Sequence, residues 1–190
     1  MKLKSKSSSV FNSRKQILLY LHGGPGDAAL PQMLKYNKEL EEYYTVVIWE
    51  QRGAGLSYYP FGKDEKISYQ TFVEDAHTII LLLLERFMQK KVYLLAHSWG
   101  TVIGLQITKK YPDLVHAYIG CGQVVNMLKS CKLQCDFLSD RLQGKRKQME
   151  KLKSLDYTYA SDNWLSDLMF TRNIIRSEEH TSELQSLSHL

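Results

Sequence analysis

The sequence predicts an α/β fold with a doubly wound, mostly parallel sheet, because short apolar runs alternate with amphipathic helical patterns. The runs QILLYLH and TVVIWE are apolar throughout rather than alternating, which is typical of parallel strands covered on both faces. The chain has 190 residues, of which 44% are hydrophobic, and this is enough for one domain with a substantial core. The composition excludes disordered, collagen-like and low-complexity classes.

The first strand and helix patterns follow one another closely. Residues 16–22 predict a buried strand that ends at a Gly/Pro cluster, residues 23–26. Pro31 opens a helical pattern that runs to about residue 44. Residues 45–50 are dense in β-branched residues and predict the next strand, which an Arg-Gly pair closes. These elements together predict a strand, helix, strand unit.

The pattern then continues with longer helices. Ser68 is suited to cap an amphipathic helix that extends to residue 88, where apolar residues recur at helical spacing. Residues 92–97 predict a third strand, residues 99–111 a helix and residues 115–121 a fourth strand. Strands and helices at this pitch indicate βαβ crossovers, so the strands are expected to be parallel.

After the fourth strand the chain changes character. Short helical patterns at 133–142 and 162–172, without a strand-like run, predict a small helical subdomain. We therefore divide the chain, apart from its last residues, into a disordered basic N-terminus (1–15), a core (16–125) and a helical segment (126–175).

The last residues have an unusual composition. Residues 176–186 read RSEEHTSELQS, which resembles the in-frame translation of a common sequencing adapter. We interpret residues 176–190 as a non-native tail and exclude them from fold reasoning. The authentic protein is then expected to continue beyond Ile175, and a natural polar tail is the alternative.

Charge and composition narrow the range of partners. The formal net charge is +5, but the basic residues concentrate at the start of the chain and in 145–153 without adjacent aromatic residues. This favours solvated charge over nucleic-acid binding. The longest apolar run, 79–84, is too short to span a membrane, and the start lacks a secretory signal, so we expect a cytoplasmic protein. Cys121, Cys131 and Cys135 match no zinc pattern, so no metal site is expected.

A candidate nucleophile lies between the third strand and the following helix. Ala96-His97-Ser98-Trp99-Gly100 fits the pattern small-x-Ser-x-Gly of a nucleophile elbow. Such a serine sits in strained backbone geometry, and small residues two positions before and after it prevent clashes with neighbouring backbone. The alternative is that Ser98 is an ordinary helix N-cap.

Two further motifs follow the first two strands. The segment His22-Gly23-Gly24-Pro25-Gly26 can present a backbone N–H that completes an oxyanion hole with the N–H after Ser98. The alternative is a glycine-rich turn that binds no ligand. A phosphate-binding loop is disfavoured, because neither G-x-G-x-x-G nor G-K-[ST] is present. The second strand ends in Glu-Gln-Arg-Gly, where we interpret Arg52 as an anchor of the loop rather than a catalytic group.

The ordered set H-G-G-P-G, E-Q-R-G-A-G-L-S and A-H-S-W-G resembles the proline iminopeptidase branch of the α/β-hydrolase family of serine peptidases. The resemblance covers about residues 16–125, and the helical segment is similar to the start of that family's cap domain, so the fold is incomplete. It implies Ser98 as nucleophile and the Gly24 and Trp99 amides as oxyanion donors. The motif residues that it implies as support are His22, Gly23, Pro25, Gly26 and Arg52. Glu50 departs from the family, which usually has Asp there.

The other members of a catalytic triad cannot be named. In the α/β-hydrolase order, an Asp or Glu and then a His follow the serine on later strands. After Ser98 the chain offers only His116, which lies near the start of the fourth strand and away from the serine, and two histidines of the tail, His180 and His189. A serine without a positioned imidazole attacks amides very slowly. We therefore predict that the chain as given is inactive and that its open sheet edge promotes association.

For the parent protein, the resemblance implies a serine aminopeptidase that needs no cofactor and releases an N-terminal residue such as proline from short peptides. The alternatives are an esterase or amidase of the same fold and a non-catalytic hydrolase-like binding protein. An aminopeptidase cap is expected to supply carboxylates for the free amine of the substrate. The candidates in this sequence, for which surface solvation is the competing interpretation, are Glu150, Asp156, Asp162 and Asp167.

Overall fold

Four parallel strands form a sheet in the computed structural model, which describes residues 15–62, 64–155 and 163–187. The strands are β1 (Gln16–Leu21), β2 (Tyr44–Trp49), β3 (Val92–His97) and β4 (Val115–Cys121). Their order across the sheet is β2-β1-β3-β4, and each neighbouring pair is parallel. The predicted parallel α/β fold is confirmed. The predictions for residues 1–14, Asp156, Asp162 and His189 lie outside the described residues.

The register brings the carboxyl ends of the strands to one edge of the sheet. Leu21 is paired with Trp49 of β2 and with Ala96 of β3, and His97 is paired with Cys121 of β4. The three sequence motifs each follow or end one of these strands. They therefore meet at the same edge, where open α/β sheets bind their ligands.

Three helices accompany the sheet, and two of them match the predicted ranges closely. Helix α2 (Tyr69–Phe87) begins with a capping box between Ser68 and Thr71. Helix α3 (Trp99–Lys110) follows β3 directly. The single helix predicted from residue 31 to 44 is wrong, because α1 (Leu30–Tyr36) ends at Asn37 and a 3-10 turn follows. Only Met33 of α1 is buried, so little packing supports a longer helix.

The core of this part lies between the sheet and the helices. Apolar side chains from β1, β3, α2 and α3 are fully buried, including Ile17, Leu19, Leu94, Ile80 and Ile103. In contrast, most residues of the edge strand β4 are exposed, and Ile119 is 48% exposed. An edge strand with unpaired backbone groups and an apolar side chain favours association with another strand.

The described residues from 125 onward form a second compact unit. It contains α4 (Met127–Arg141), α5 (Arg146–Lys153) and α6 (Trp164–Leu187). Its core packs Cys135, Leu138 and Leu152 together with apolar neighbours. The range of helix α5 was not predicted, because the helix is short and directs only Met149 and Leu152 to the core of this unit. The domain boundaries and the non-native origin of the last residues stay predictions.

Two findings concern function classes. Within the described ranges, no helix combines the length and the apolar character needed to cross a bilayer. In the same ranges, no three His, Cys, Asp or Glu side chains are grouped so that they could hold a metal ion. All three cysteines are free thiols, with Cys131 and Cys135 buried and Cys121 exposed.

Candidate active site

Ser98 occupies a strained turn between β3 and α3. Its backbone has φ 51° and ψ −115°, a region that residues with a side chain rarely adopt. The backbone N–H donates a hydrogen bond of 2.9 Å to the carbonyl oxygen of Cys121, which holds the turn against the end of β4. The Ser98 hydroxyl makes no capping bond to α3. This geometry argues against the ordinary N-cap and matches a nucleophile elbow.

Small residues around Ser98 allow the close packing that this turn requires. A Cβ atom at Gly100 would overlap the carbonyl oxygen of Leu21, so α3 starts in direct contact with the end of β1. Ala96 is fully buried, and a Cβ atom at Gly104 would come within 3.2 Å of its methyl group. Larger side chains at these positions would move α3 away from the sheet and displace Ser98.

The H-G-G-P-G loop passes directly in front of Ser98. A Cβ atom at Gly23 would lie 3.4 Å from the Ser98 Cβ and 3.1 Å from Nδ1 of His97, so a side chain there would fill the space before the serine. Gly24 has φ 114°, and a Cβ atom there would lie 2.6 Å from the Gly26 nitrogen. The peptide between Gly24 and Pro25 is cis. Among the described residues, none accepts a hydrogen bond from the Gly24 N–H.

His22 is a buried structural residue whose two ring nitrogens are both engaged. Its Nδ1 lies 2.6 Å from the Gly23 carbonyl oxygen, and its Nε2 accepts a hydrogen bond of 3.0 Å from the Gln51 N–H. This pattern fixes the neutral tautomer with the proton on Nδ1. Burial lowers the pKa of His22, and the Gly23 carbonyl and nearby carboxylates offset this only in part. His22 therefore cannot act as a general base toward Ser98.

Gln51 connects the three motifs through hydrogen bonds. Its side-chain amide donates to the His22 carbonyl oxygen at 2.9 Å, and its side-chain oxygen accepts from Nε1 of Trp99 at 3.1 Å. Gln51 is completely buried, and the Trp99 ring also packs edge-on against Phe72. No role was predicted for Gln51 from the sequence, although it lies within E-Q-R-G. The sequence did contain a signal for this role. Gln51 follows an apolar strand, and two other motifs follow the neighbouring strands at the same edge of the sheet.

Arg52 holds its loop to α2. Its Nε and Nη2 donate to the two carboxylate oxygens of Asp75 at 2.7 and 2.8 Å, and its Nη1 donates to the Tyr59 hydroxyl at 3.3 Å. The Asp75 carboxylate raises the pKa of the Arg52 guanidinium. Glu50 is buried and accepts hydrogen bonds from the backbone N–H groups of Leu30 and Leu56, which organises the start of the same loop.

A family model described as the alpha/beta hydrolase fold matches residues 16–169. The chain belongs to this family. The match covers all four strands, and the α/β-hydrolase fold predicted from the three motifs is confirmed, with the sheet present in part.

Three similar proteins carry peptidase names. The probable aminopeptidase YbaC of Bacillus subtilis is 42% identical over 113 residues, which are 60% of this chain and 36% of YbaC. A proline iminopeptidase of Arabidopsis thaliana is 31% identical over 98 residues, 52% of this chain and 24% of that protein. The crystal structure of a proline iminopeptidase-related protein from Thermus thermophilus has a TM-score of 0.50 and 27% identity, covering 67% of this chain and 43% of that one. The hydrolase chain thus spans less than half the length of each.

The described part of the hydrolase chain brings no imidazole into hydrogen-bond contact with the Ser98 hydroxyl. His77 stacks on Tyr111, and the exposed His116 stacks on Tyr93 at the opposite end of the sheet from Ser98. His97 precedes Ser98 and its Nδ1 borders the same space at Gly23, but its side chain is exposed and makes no hydrogen bond to the Ser98 hydroxyl. His180 lies within α6, in the second unit. The described residues therefore bring Ser98 and the H-G-G-P-G loop together. They do not place a histidine where it could accept the proton of the serine.

Proposed function

We propose that the parent protein is a serine aminopeptidase of the proline iminopeptidase type, with Ser98 as its nucleophile. The observation that carries the proposal is the position of Ser98, a serine in a strained turn, directly before the Gly23-Gly24 loop. Backbone strain at a single serine, held by a close-packed helix start, is expected at a functional site rather than at an ordinary turn. The peptidase names of the similar proteins support the substrate class.

In this mechanism the Ser98 hydroxyl attacks the carbonyl carbon of the N-terminal residue of a short peptide. The backbone amides of Gly24 and Trp99 stabilise the negative charge that develops on the carbonyl oxygen. The serine proton passes to a histidine outside this chain and then to the leaving amine, and water hydrolyses the acyl-enzyme by the reverse path. His22, Gln51 and Arg52 keep these groups in position and do not touch the substrate.

The 190-residue chain itself is proposed to be inactive. In its described part no imidazole is hydrogen-bonded to the Ser98 hydroxyl, and the loss of a triad histidine lowers the rate by several powers of ten. This absence is also the observation that favours a second candidate, a non-catalytic binding protein on a hydrolase fold. The two candidates differ in whether the parent protein supplies an Asp and a His after later strands.

A fluorophosphonate probe, which labels only an activated serine, tests both proposals. The 190-residue chain should remain unlabelled, and stoichiometric labelling at Ser98 would contradict its inactivity. The parent protein should be labelled at Ser98 and should cleave L-prolyl-p-nitroanilide, and its Ser98→Ala variant should do neither. A parent protein that is inert to both the probe and the substrate would support the binding protein instead.

A further inference from the structure

A carboxylate that has no assigned role lies beside the candidate nucleophile. A Cβ atom at Gly23 would lie 3.4 Å from Oδ2 of Asp27 and equally 3.4 Å from the Ser98 Cβ. Asp27 and Ser98 are therefore near neighbours across the small space that Gly23 leaves empty. Asp27 follows the H-G-G-P-G motif directly, and its side chain is exposed. An anionic group is thus presented at the place where a substrate carbonyl would be attacked.

No cation of the described residues pairs with this carboxylate. Within the described part of the chain, the Asp27 side chain has neither an ion pair nor a hydrogen bond. Its charge acts on its surroundings: the pKa of the Tyr20 phenol is raised by burial, by Cys121 and by Asp27. An unpaired carboxylate beside a reaction centre is available for a cationic group of a ligand.

Two of the four carboxylates expected from the helical segment lie in the described residues, and both already have a cationic partner. Asp167 is buried and forms an ion pair of 2.8 Å with Lys151, and Glu150 accepts a hydrogen bond of 2.9 Å from Arg146. Each therefore has a cation of the same unit as its partner. Asp27 differs from both because no cation of the described residues pairs with it and because it lies beside Ser98.

We infer that Asp27 binds the α-ammonium group of the N-terminal residue of the substrate. In such a residue the nitrogen is only about 2.5 Å from the carbonyl carbon that is attacked. A carboxylate that selects for the ammonium must therefore lie close to the nucleophile, as Asp27 does. The inference rests on the proposed aminopeptidase function and makes Asp27 a specificity residue for free N-termini.

Kinetics on the parent protein test this role with two substrates. The Asp27→Asn variant should lose about tenfold or more in kcat/KM for L-prolyl-p-nitroanilide, because a charge-assisted hydrogen bond is lost. It should hydrolyse the neutral ester p-nitrophenyl acetate at the rate of the wild type. Asp113→Asn, which removes the same charge at the opposite end of the sheet, is the matched control and should leave both rates unchanged.

The outcomes separate this inference from the proposed function. If Asp27→Asn cleaves the prolyl substrate as well as the wild type does, the inference is wrong and the aminopeptidase function stands. An equal loss on both substrates would mean that Asp27 supports the serine machinery in general, which also overturns the inference. A wild type that hydrolyses only the ester would overturn the aminopeptidase function and, with it, this role of Asp27.

A binding measurement on the 190-residue chain needs no turnover. In an NMR titration, L-prolinamide should bind more tightly than N-acetyl-L-prolinamide, and Asp27→Asn should remove the difference. Between about pH 7 and 9.5 the affinity for L-prolinamide should fall as its amine loses its proton. The acetylated ligand has no amine that can lose a proton. Any change of its affinity with pH would therefore come from the titratable groups of the protein nearby, which are His97, Tyr20, His22 and Cys121. Equal affinity for both ligands in the wild-type chain would contradict the inference.

Discussion

Gln51 and His22 are joined by two hydrogen bonds at the carboxyl ends of neighbouring strands. The Gln51 N–H donates to Nε2 of His22 at 3.0 Å, and the Gln51 side-chain amide donates to the His22 carbonyl oxygen at 2.9 Å. Both residues are almost completely buried. This pair fixes the H-G-G-P-G loop to the E-Q-R-G loop, and through Trp99 it also fixes the start of α3.

Removal of the His22 ring should destabilise the fold. His22→Ala leaves the buried Gln51 N–H without an acceptor and creates a cavity, and together these should cost about 2–4 kcal/mol of the free energy of unfolding. Urea denaturation measures the change. His116→Ala, at an exposed ring on β4, is the control and should change stability by no more than about 0.5 kcal/mol. Equal effects of the two substitutions would contradict the role of the pair.

The pH dependence of stability should carry the signature of His22. Burial lowers the pKa of this ring in the folded state, so the unfolded chain binds its proton first as the pH falls. Stability should be unaffected by His22 above its unfolded pKa of about 6.5 and should decrease below it, by at most about 1.4 kcal/mol per pH unit. Unfolding measured from about pH 7.5 to 5 in the wild type and in His22→Gln isolates this contribution. Identical slopes in the two proteins would show that His22 does not titrate as described.

The glycine two residues after Ser98 should not tolerate a methyl group. A Cβ atom at Gly100 would overlap the Leu21 carbonyl oxygen, and because this is backbone, the start of α3 must move. Gly100→Ala should therefore cost about 3 kcal/mol or more, as overpacking and the lost contacts combine. Gly62→Ala is the matched control, since its Cβ would make only an ordinary contact of 3.9 Å with Glu65. Comparable urea midpoints for the two variants would contradict this account of the elbow.

Much of the fold and the elbow could be predicted because the signals are local. Apolar runs predicted β3 and β4 with their observed bounds, and the motif of Ala96, Ser98 and Gly100 is contained in five residues, although the atom that requires glycine at position 100 is the Leu21 carbonyl oxygen of β1. The bond from Gln51 to His22 spans 29 residues, so it becomes visible only when the strands are paired. Asp27 was missed for the same reason, because its position beside Ser98 depends on the path of the loop between them.

The Arg52 to Asp75 pair should be worth more than an ordinary surface ion pair. The side chains are 28% and 27% exposed, and two parallel hydrogen bonds join them. Arg52→Ala should destabilise the chain by about 1–3 kcal/mol, and Arg52→Lys should restore only part of this because lysine cannot make both bonds. Arg146→Ala breaks a pair whose side chains are 90% and 64% exposed and should cost no more than about 0.5 kcal/mol. A full rescue by lysine would contradict the importance of the paired geometry.

The strained backbone of Ser98 should lower the free energy of unfolding. Two substitutions distinguish the effect of the backbone conformation from the effect of the hydroxyl group. Ser98→Gly removes the Cβ atom that makes φ 51° unfavourable, so relief of about 1–3 kcal/mol should exceed the entropic cost of glycine, about 0.5–1 kcal/mol. Ser98→Ala keeps the Cβ and should leave the stability of the chain nearly unchanged. The expected order of urea midpoints is therefore Gly above Ala and Ser.

Met88 provides a comparison, because it also has φ 51°, at the exposed end of α2 and outside the site, but its ψ of 43° lies in the left-handed helical region, whereas Ser98 has ψ −115°. Met88→Gly should stabilise the chain by less than Ser98→Gly does, because the left-handed helical region is less unfavourable for a residue with a side chain than the region of Ser98. If Ser98→Gly lowers stability while Met88→Gly raises it, the turn at Ser98 is not strained. The proposed nucleophile would then lose the observation on which it rests, since the motif alone does not distinguish an elbow from an ordinary turn.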